Sequence, residues 1–132
     1  MKEFGFNTVI ALLGTFVTAW LGGWDVALKA LVVFMVIDYA TGVLSAIKEK
    51  KLDSEIMFWG GIRKAVILVV VAIAIIMDGM LGNTEPLLRT LAIYFYVGRE
   101  GLSVTENLGQ LGVPLPEAIR TILQQLNKEE AK

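Results

Sequence analysis

Apolar residues fall into four long blocks divided by short polar or glycine-rich breaks. The first covers residues 4–21 and stops at Gly22-Gly23-Trp24-Asp25. The second, residues 26–47, is broken only by Lys29 near its start and Asp38 at its centre. A charged stretch, Lys48-Glu49-Lys50-Lys51-Leu52-Asp53-Ser54-Glu55, separates it from Met57-Phe58-Trp59-Gly60-Gly61, whose aromatics suit a headgroup layer. The third block, residues 63–81, is nearly pure Val, Ile, Ala and Leu from Ala65 until Asp78. Gly82-Asn83-Thr84-Glu85-Pro86 predicts a turn. The fourth, residues 87–108, contains Arg99, Glu100 and Glu106. Beyond Gly112-Val113-Pro114-Leu115-Pro116, the residues Ile119, Ile122, Leu123 and Leu126 recur at helical spacing.

A membrane span needs roughly 20 apolar residues. The pattern therefore predicts an all-α integral membrane protein with about four transmembrane helices and a short amphipathic tail helix. Three spans plus one interfacial helix is the alternative, because the fourth block is charged. Residues 1–112 form the expected membrane domain and residues 113–132 a cytoplasmic tail.

Composition agrees. Of 132 residues, 55% are hydrophobic and 19% charged, against about a quarter charged in soluble domains. Twelve basic and thirteen acidic residues leave no footprint for nucleic acid. There is no cysteine or histidine, which removes disulfides, the usual zinc ligands and the two commonest nucleophile and general-base side chains. Neither an enzyme nor a cofactor is expected. Met1, Lys2 and the following apolar run imitate a signal peptide. Ala19-Trp20-Leu21-Gly22-Gly23 lacks the small-x-small cleavage pattern, so the run reads as a retained span. With both termini in the cytoplasm, Lys2, Lys48, Lys50, Lys51, Arg63, Lys64, Arg120, Lys128 and Lys132 lie inside and only Lys29 and Arg89 outside. The positive-inside rule favours that topology.

An ionised side chain at the bilayer centre costs about 2.5–3.5 kcal/mol on insertion scales, so each needs a partner or water. Matching depth and sign gives three expected pairings: Lys29 with Asp78 near the outer face, Asp38 with Arg99 at mid-depth, and Arg63 or Lys64 with Glu106 at the inner face. Glu100 is left over. Helical spacing puts Asp38, Thr41, Gly42 and Ser45 on one stripe and Tyr96, Arg99, Glu100, Ser103, Glu106 and Asn107 on another. In the first block Asn7, Thr8, Ala11, Gly14, Thr15 and Thr18 share a third. Gly42 and Ala46 form a small-xxx-small element of the kind that lets helix backbones approach closely. These stripes serve helix packing or line water. Four helices leave no sizeable lumen, so the second use requires self-association.

The residues resemble a family. Asp38-Tyr39-Ala40-Thr41-Gly42, Lys51-Leu52-Asp53-Ser54, Gly60-Gly61-Ile62-Arg63-Lys64 and Asp78 occur in order. Tyr94, Glu100-Gly101-Leu102-Ser103-Val104-Thr105-Glu106-Asn107 and Leu111-Gly112-Val113-Pro114-Leu115-Pro116 follow. This ordered set is similar to that of the phage-lysis and toxin-secretion holins. One departure is the more charged inner loop at Lys51-Leu52-Asp53-Ser54. The resemblance implies a homo-oligomer in the bacterial cytoplasmic membrane that opens a large pore, with membrane lipids as surroundings. An endolysin or a large toxin would be the cargo, without a stable complex. It assigns no catalytic role. A small proton-coupled transporter or ion channel with Asp38 in its chamber, and a membrane anchor or assembly subunit, are the rival readings.

Overall fold

The four apolar blocks and the tail become five helices: α1 (Lys2–Trp20), α2 (Val26–Lys48), α3 (Ser54–Met80), α4 (Leu87–Gln110) and α5 (Glu117–Ala131). The structure is a computed structural model that describes residues 2–131, and no strand occurs among them. α2 and α3 are each long and apolar enough to cross a membrane, and α1 contributes a shorter apolar helix, Gly5–Trp20.

The helix ends follow from local chemistry. The first four helices stop in the same way, with a residue of positive φ just past the end. Its amide and the next one reach back to carbonyls of the final turn. In α4, Gly112 N–H donates to Gly109 O at 3.1 Å and Val113 N–H to Leu108 O at 2.8 Å. Gly22, Gly82 and Gly112 take this position with φ of 90°, 70° and 82°, where glycine has no Cβ to clash. After α2 the position falls to Lys50, at φ 57°.

The third helix begins well before the expected residue 63. Asp53 caps it, its Oδ1 accepting from Glu55 N at 2.8 Å and Ile56 N at 3.4 Å. The Met57-Phe58-Trp59-Gly60-Gly61 stretch is therefore helical, and Tyr39 Oη donates to Met57 O across to it at 3.4 Å. At 1.5 Å per residue, 27 residues make a helix of about 40 Å, longer than the roughly 30 Å hydrocarbon core.

α4 is the hub. α2, α3 and α5 all pack against it. The apolar core lies between α2, α3 and α4 and includes Leu28, Leu31, Met35, Ile67, Val71, Ile93 and Val97. α2 and α4 run parallel, with α3 antiparallel between their ends. α5 returns along the C-terminal half of α4, where Gly98 and Gly101 make room for it. A Cβ on Gly101 would lie 2.5 Å from a Leu123 methyl, and one on Gly98 would lie 2.9 Å from the Asn127 backbone nitrogen. The expected tail is thus a helix laid against α4. α1 stands apart: Phe6, Ile10, Leu13, Phe16, Val17 and Trp20 are all exposed.

One knot of polar bonds joins the helices at the end where α2 and α4 begin and α3 finishes. Arg89, only 4% exposed, donates through Nε to Leu21 O at 2.7 Å and through Nη2 to Gly23 O at 3.1 Å. Its Nη1 also meets Asp25 Oδ2 at 2.8 Å. Gly22 must be glycine here on two counts, since a Cβ would sit 2.5 Å from Arg89 Nε. Asp25 meanwhile caps α2 through Leu28 N at 2.9 Å. Pro86 at the head of α4 makes no side-chain cap, and Asp78 does that work from α3. Its oxygens accept from Leu88 N and Arg89 N, each at 2.9 Å, and from Asn83 Nδ2 at 2.8 Å.

This corrects the expected pairing of Lys29 with Asp78. Asp78 is committed to backbone amides. Lys29 is exposed, because Leu28, Leu31 and Met35 occupy the buried stripe of α2 and leave it on another side.

Two outcomes follow. Lys50→Gly should raise stability by about 1 kcal/mol by relieving the left-handed strain, read as a shifted denaturation midpoint in detergent. The hydrogen bonds from Arg89 hold the Asp25 carboxyl below the ordinary value of 3.8, against the opposing effect of burial. Its contribution to stability is complete above that ordinary value and is lost as the pH falls through the lowered folded value. Asp25→Asn should flatten the stability–pH profile below about pH 4.

Candidate functional site

About 20 Å along the helices from the Arg89 knot, by helix rise, a second polar cluster joins the same three helices. Arg89 to Glu100 along α4, Asp25 to Asp38 along α2 and Asp78 to Lys64 along α3 give about 17, 20 and 21 Å. All three charged residues therefore arrive at one level. Lys64 Nζ donates to Asp38 Oδ2 and to Glu100 Oε2, both at 2.6 Å. Glu100 is 5% exposed, and all three side chains are largely withdrawn from the surface.

Asn107 completes the cluster. Its Nδ2 donates to Asp38 Oδ1 at 3.0 Å, to Asp38 O at 3.1 Å and to Thr41 Oγ1 at 3.0 Å. The Thr41 hydroxyl donates back to Ile37 O at 2.7 Å. Farther inward, the buried Ser45 hydroxyl donates to the Gln110 side-chain oxygen, and Lys48 Nζ donates to Gln110 O at 2.8 Å. Gly42 lets Asn107 approach, with a Cβ there 3.6 Å from Asn107 Nδ2. Every buried side-chain nitrogen and oxygen among the described residues has a partner.

The cluster forms the wall of an open cleft of about 490 Å³ between α2, α3 and α4, which Arg63, Arg99, Ser103 and Tyr96 also line. One ammonium serves two carboxylates. In a medium of low dielectric that arrangement binds three helices and disfavours removal of any one charge. No group of three or more potential metal ligands occurs among the described residues. The site can fix helices, hold ions in place and admit water.

Two expected pairings are replaced. Lys64 pairs with Asp38 and Glu100, not with Glu106, because α3 begins at Ser54 and carries Lys64 into its third turn, up to the level of Asp38. Glu100, expected to be left over, is at the centre. Ile93, Val97, Glu100 and Val104 form the buried side of α4, so Arg99, one residue away, is turned to the cleft edge and Glu106 is exposed. Neither Arg99 nor Arg63 forms an ion pair among the described residues. The structure brings together Asp38, Thr41, Gly42, Ser45, Glu100 and Asn107, with Ser103 on the same cleft. It leaves Asn7 and Thr15 exposed and Thr18 half-buried on α1.

Arg89, Asp25 and Gln110 escaped the sequence reading. Asp25 directly before an apolar run is a cap signal, and an arginine three residues past Pro86 lies on the level of that cap.

Lys64→Met should destabilise the folded bundle by about 3–5 kcal/mol by stranding two carboxylates. Adding Asp38→Asn and Glu100→Gln to it should restore much of that loss. A thermal unfolding series in detergent measures both.

A profile of the bacteriophage holin family matches residues 15–128. An uncharacterised 14.9 kDa protein in the nagH 3′ region of Clostridium perfringens is 44% identical over 121 residues, 92% of each chain. An uncharacterised Bacillus subtilis protein is 40% identical over 103 residues, covering 78% of this chain and 73% of its own. A protein of Bacillus phage phi105 named as a probable holin is 35% identical over 111 residues, 84% of this chain and 82% of its own. No solved structure matches. The family profile extends from the last turns of α1 through every helix of the ion cluster and into α5, and the chain belongs to the bacteriophage holin family.

Proposed function

We propose that copies of this chain assemble in the bacterial cytoplasmic membrane into a large, non-selective pore. That pore releases an endolysin to the cell wall or exports a large toxin. Membership in the holin family makes the chain a non-enzymatic membrane protein. In the proposed topology α1 to α4 span the bilayer, both termini are cytoplasmic, and α5 lies against the inner half of α4. α4 falls outside the long apolar helices, but two of its four charges, Arg89 and Glu100, are buried and paired with Asp25 and Lys64, which lowers the cost of placing it in the bilayer.

The observation that carries the proposal is the state of α1. Its stripe of Asn7, Gly14 and Thr15 is exposed, and a Cβ added at Gly5 or Gly14 would meet nothing within 4 Å. Thr15 satisfies its hydroxyl on its own helix, at Ala11 O, 2.8 Å away. Small and polar groups on a membrane helix are covered by another helix or by water. The protomer offers neither, and further copies supply both: helix cover in small assemblies and a wetted lumen in a closed ring. Opening is then a population shift between dispersed and assembled protomers.

Expression with a protein-sized cytosolic reporter tests the proposal. The chain should release the reporter. Replacing the stripe (Asn7→Leu, Gly14→Leu, Thr15→Leu) should preserve membrane insertion and delay or abolish release. Ion flux without reporter release would establish a channel instead, and an intact barrier would establish an anchor.

A further inference from the structure

Two features beside the ion cluster have no role in it. Arg63 and Arg99 stand on the cleft with no anionic partner among the described residues. Each is the sequence neighbour of a bonded pair member, Arg63 of Lys64 and Arg99 of Glu100, so both flank one level. Lys51, ion-paired at 4.0 Å with Glu49, also lies at the mouth. Asp53, also there, is engaged by the first amides of α3. The second feature is an apolar groove of about 500 Å³ between α2 and α3, walled by Val32, Val36, Ala40, Ala65 and Leu68. It meets the cleft at Tyr39 and Lys64, which line both.

A cationic cleft that opens into an apolar groove has the shape of an amphiphile. Depth and direction narrow the choice. With Met80 at the outer edge of a core of about 30 Å, the inner edge falls about 20 residues back along α3. That is near Gly60 and Gly61, one turn from Arg63. Phe58 and Trp59, both exposed, mark the headgroup layer just beyond. From Tyr39 to Val32 the groove runs about 10 Å away from that inner edge and across the bilayer centre, a course open to an acyl chain that enters from the cytoplasmic leaflet. Basic pockets between spans on this side take anionic headgroups.

We infer that cleft and groove form one binding site for an anionic phospholipid of the cytoplasmic leaflet. Its phosphate lies between Arg63 and Arg99 and its acyl chain lies between α2 and α3. The site rests on the topology proposed above. The lipid supplies the anion that the exposed arginines lack and fills the side of the bundle that α4 leaves open.

The test uses the full chain in phosphatidylcholine bilayers with a trace of spin-labelled phosphatidylglycerol or spin-labelled phosphatidylcholine. The motionally restricted fraction of each probe is measured. Phosphatidylglycerol should be preferred, and Arg63→Gln and Arg99→Gln should each cut the preference roughly fivefold. Lysine at either position should keep part of it, since the charge remains and the planar fork is lost. Ala40→Trp, which fills the groove, should lower the restricted fraction.

Equal restriction of the two probes, or a preference that survives the double glutamine variant, would overturn the site. So would loss of preference to inorganic phosphate beyond that caused by chloride at equal ionic strength, which would assign the arginines to a free anion. These failures leave membrane insertion intact. A chain that restricts neither probe and washes off in carbonate would overturn the topology itself.

Discussion

The Lys64 ammonium holds two carboxylates from two different helices, and the register of the bundle depends on that sharing. An amine bonded to one acid tolerates a range of helix positions. Bonded to Asp38 and Glu100 at 2.6 Å each, it fixes α2, α3 and α4 against one another along their axes. Asn107 then locks α4 to the backbone and side chain of Asp38 together. Removing the water from such a cluster is costly, so its members persist only where they satisfy one another. In a bilayer the unsatisfied alternative is worse still.

The Arg89 knot repeats this logic with different groups. Arg89 gathers the carbonyls at the end of α1 and the cap of α2, while Asp78 caps α4 from α3. Polar contacts at two levels, with an apolar core between them, make α2, α3 and α4 the rigid part of the protomer. α1 is tied to this unit chiefly at its C-terminal end, through Leu21 and the Gly22-Gly23 turn. That uneven attachment suits the proposed assembly: three helices stay fixed while the first offers its polar stripe to other copies.

The apolar surface has a corresponding division. Exposed Val, Ile, Leu and Phe side chains cover α1, α2 and α3, the faces that meet acyl chains. α4 carries four charges, and its neighbours enclose two of them, Arg89 and Glu100. Arg63 and Arg99 stand outside this rule, on the cleft beside the Lys64 cluster, with no ion pair among the described residues.

Much of the fold was legible along the chain. Four apolar blocks, glycine breaks and a helical repeat after Pro116 specify five helices, because turn chemistry and hydrophobic period act over a few residues. The polar stripe of α2 was legible for the same reason, and so were Glu100, Ser103 and Asn107 as residues of one α4 stripe. Partner choice was not. Depth counted from the apolar edge at Arg63 placed Lys64 beside Glu106, whereas the Asp53 cap starts α3 about two turns earlier and raises Lys64 to Asp38. Lys29 and Asp78 are opposite in sign and matched in depth, but rotation about the helix axes turned one outward and gave the other to backbone amides. Length, spacing and charge are properties of a helix taken alone. Which groups meet depends on the rotation and rise of several helices packed together, and only their common packing on α4 determines that.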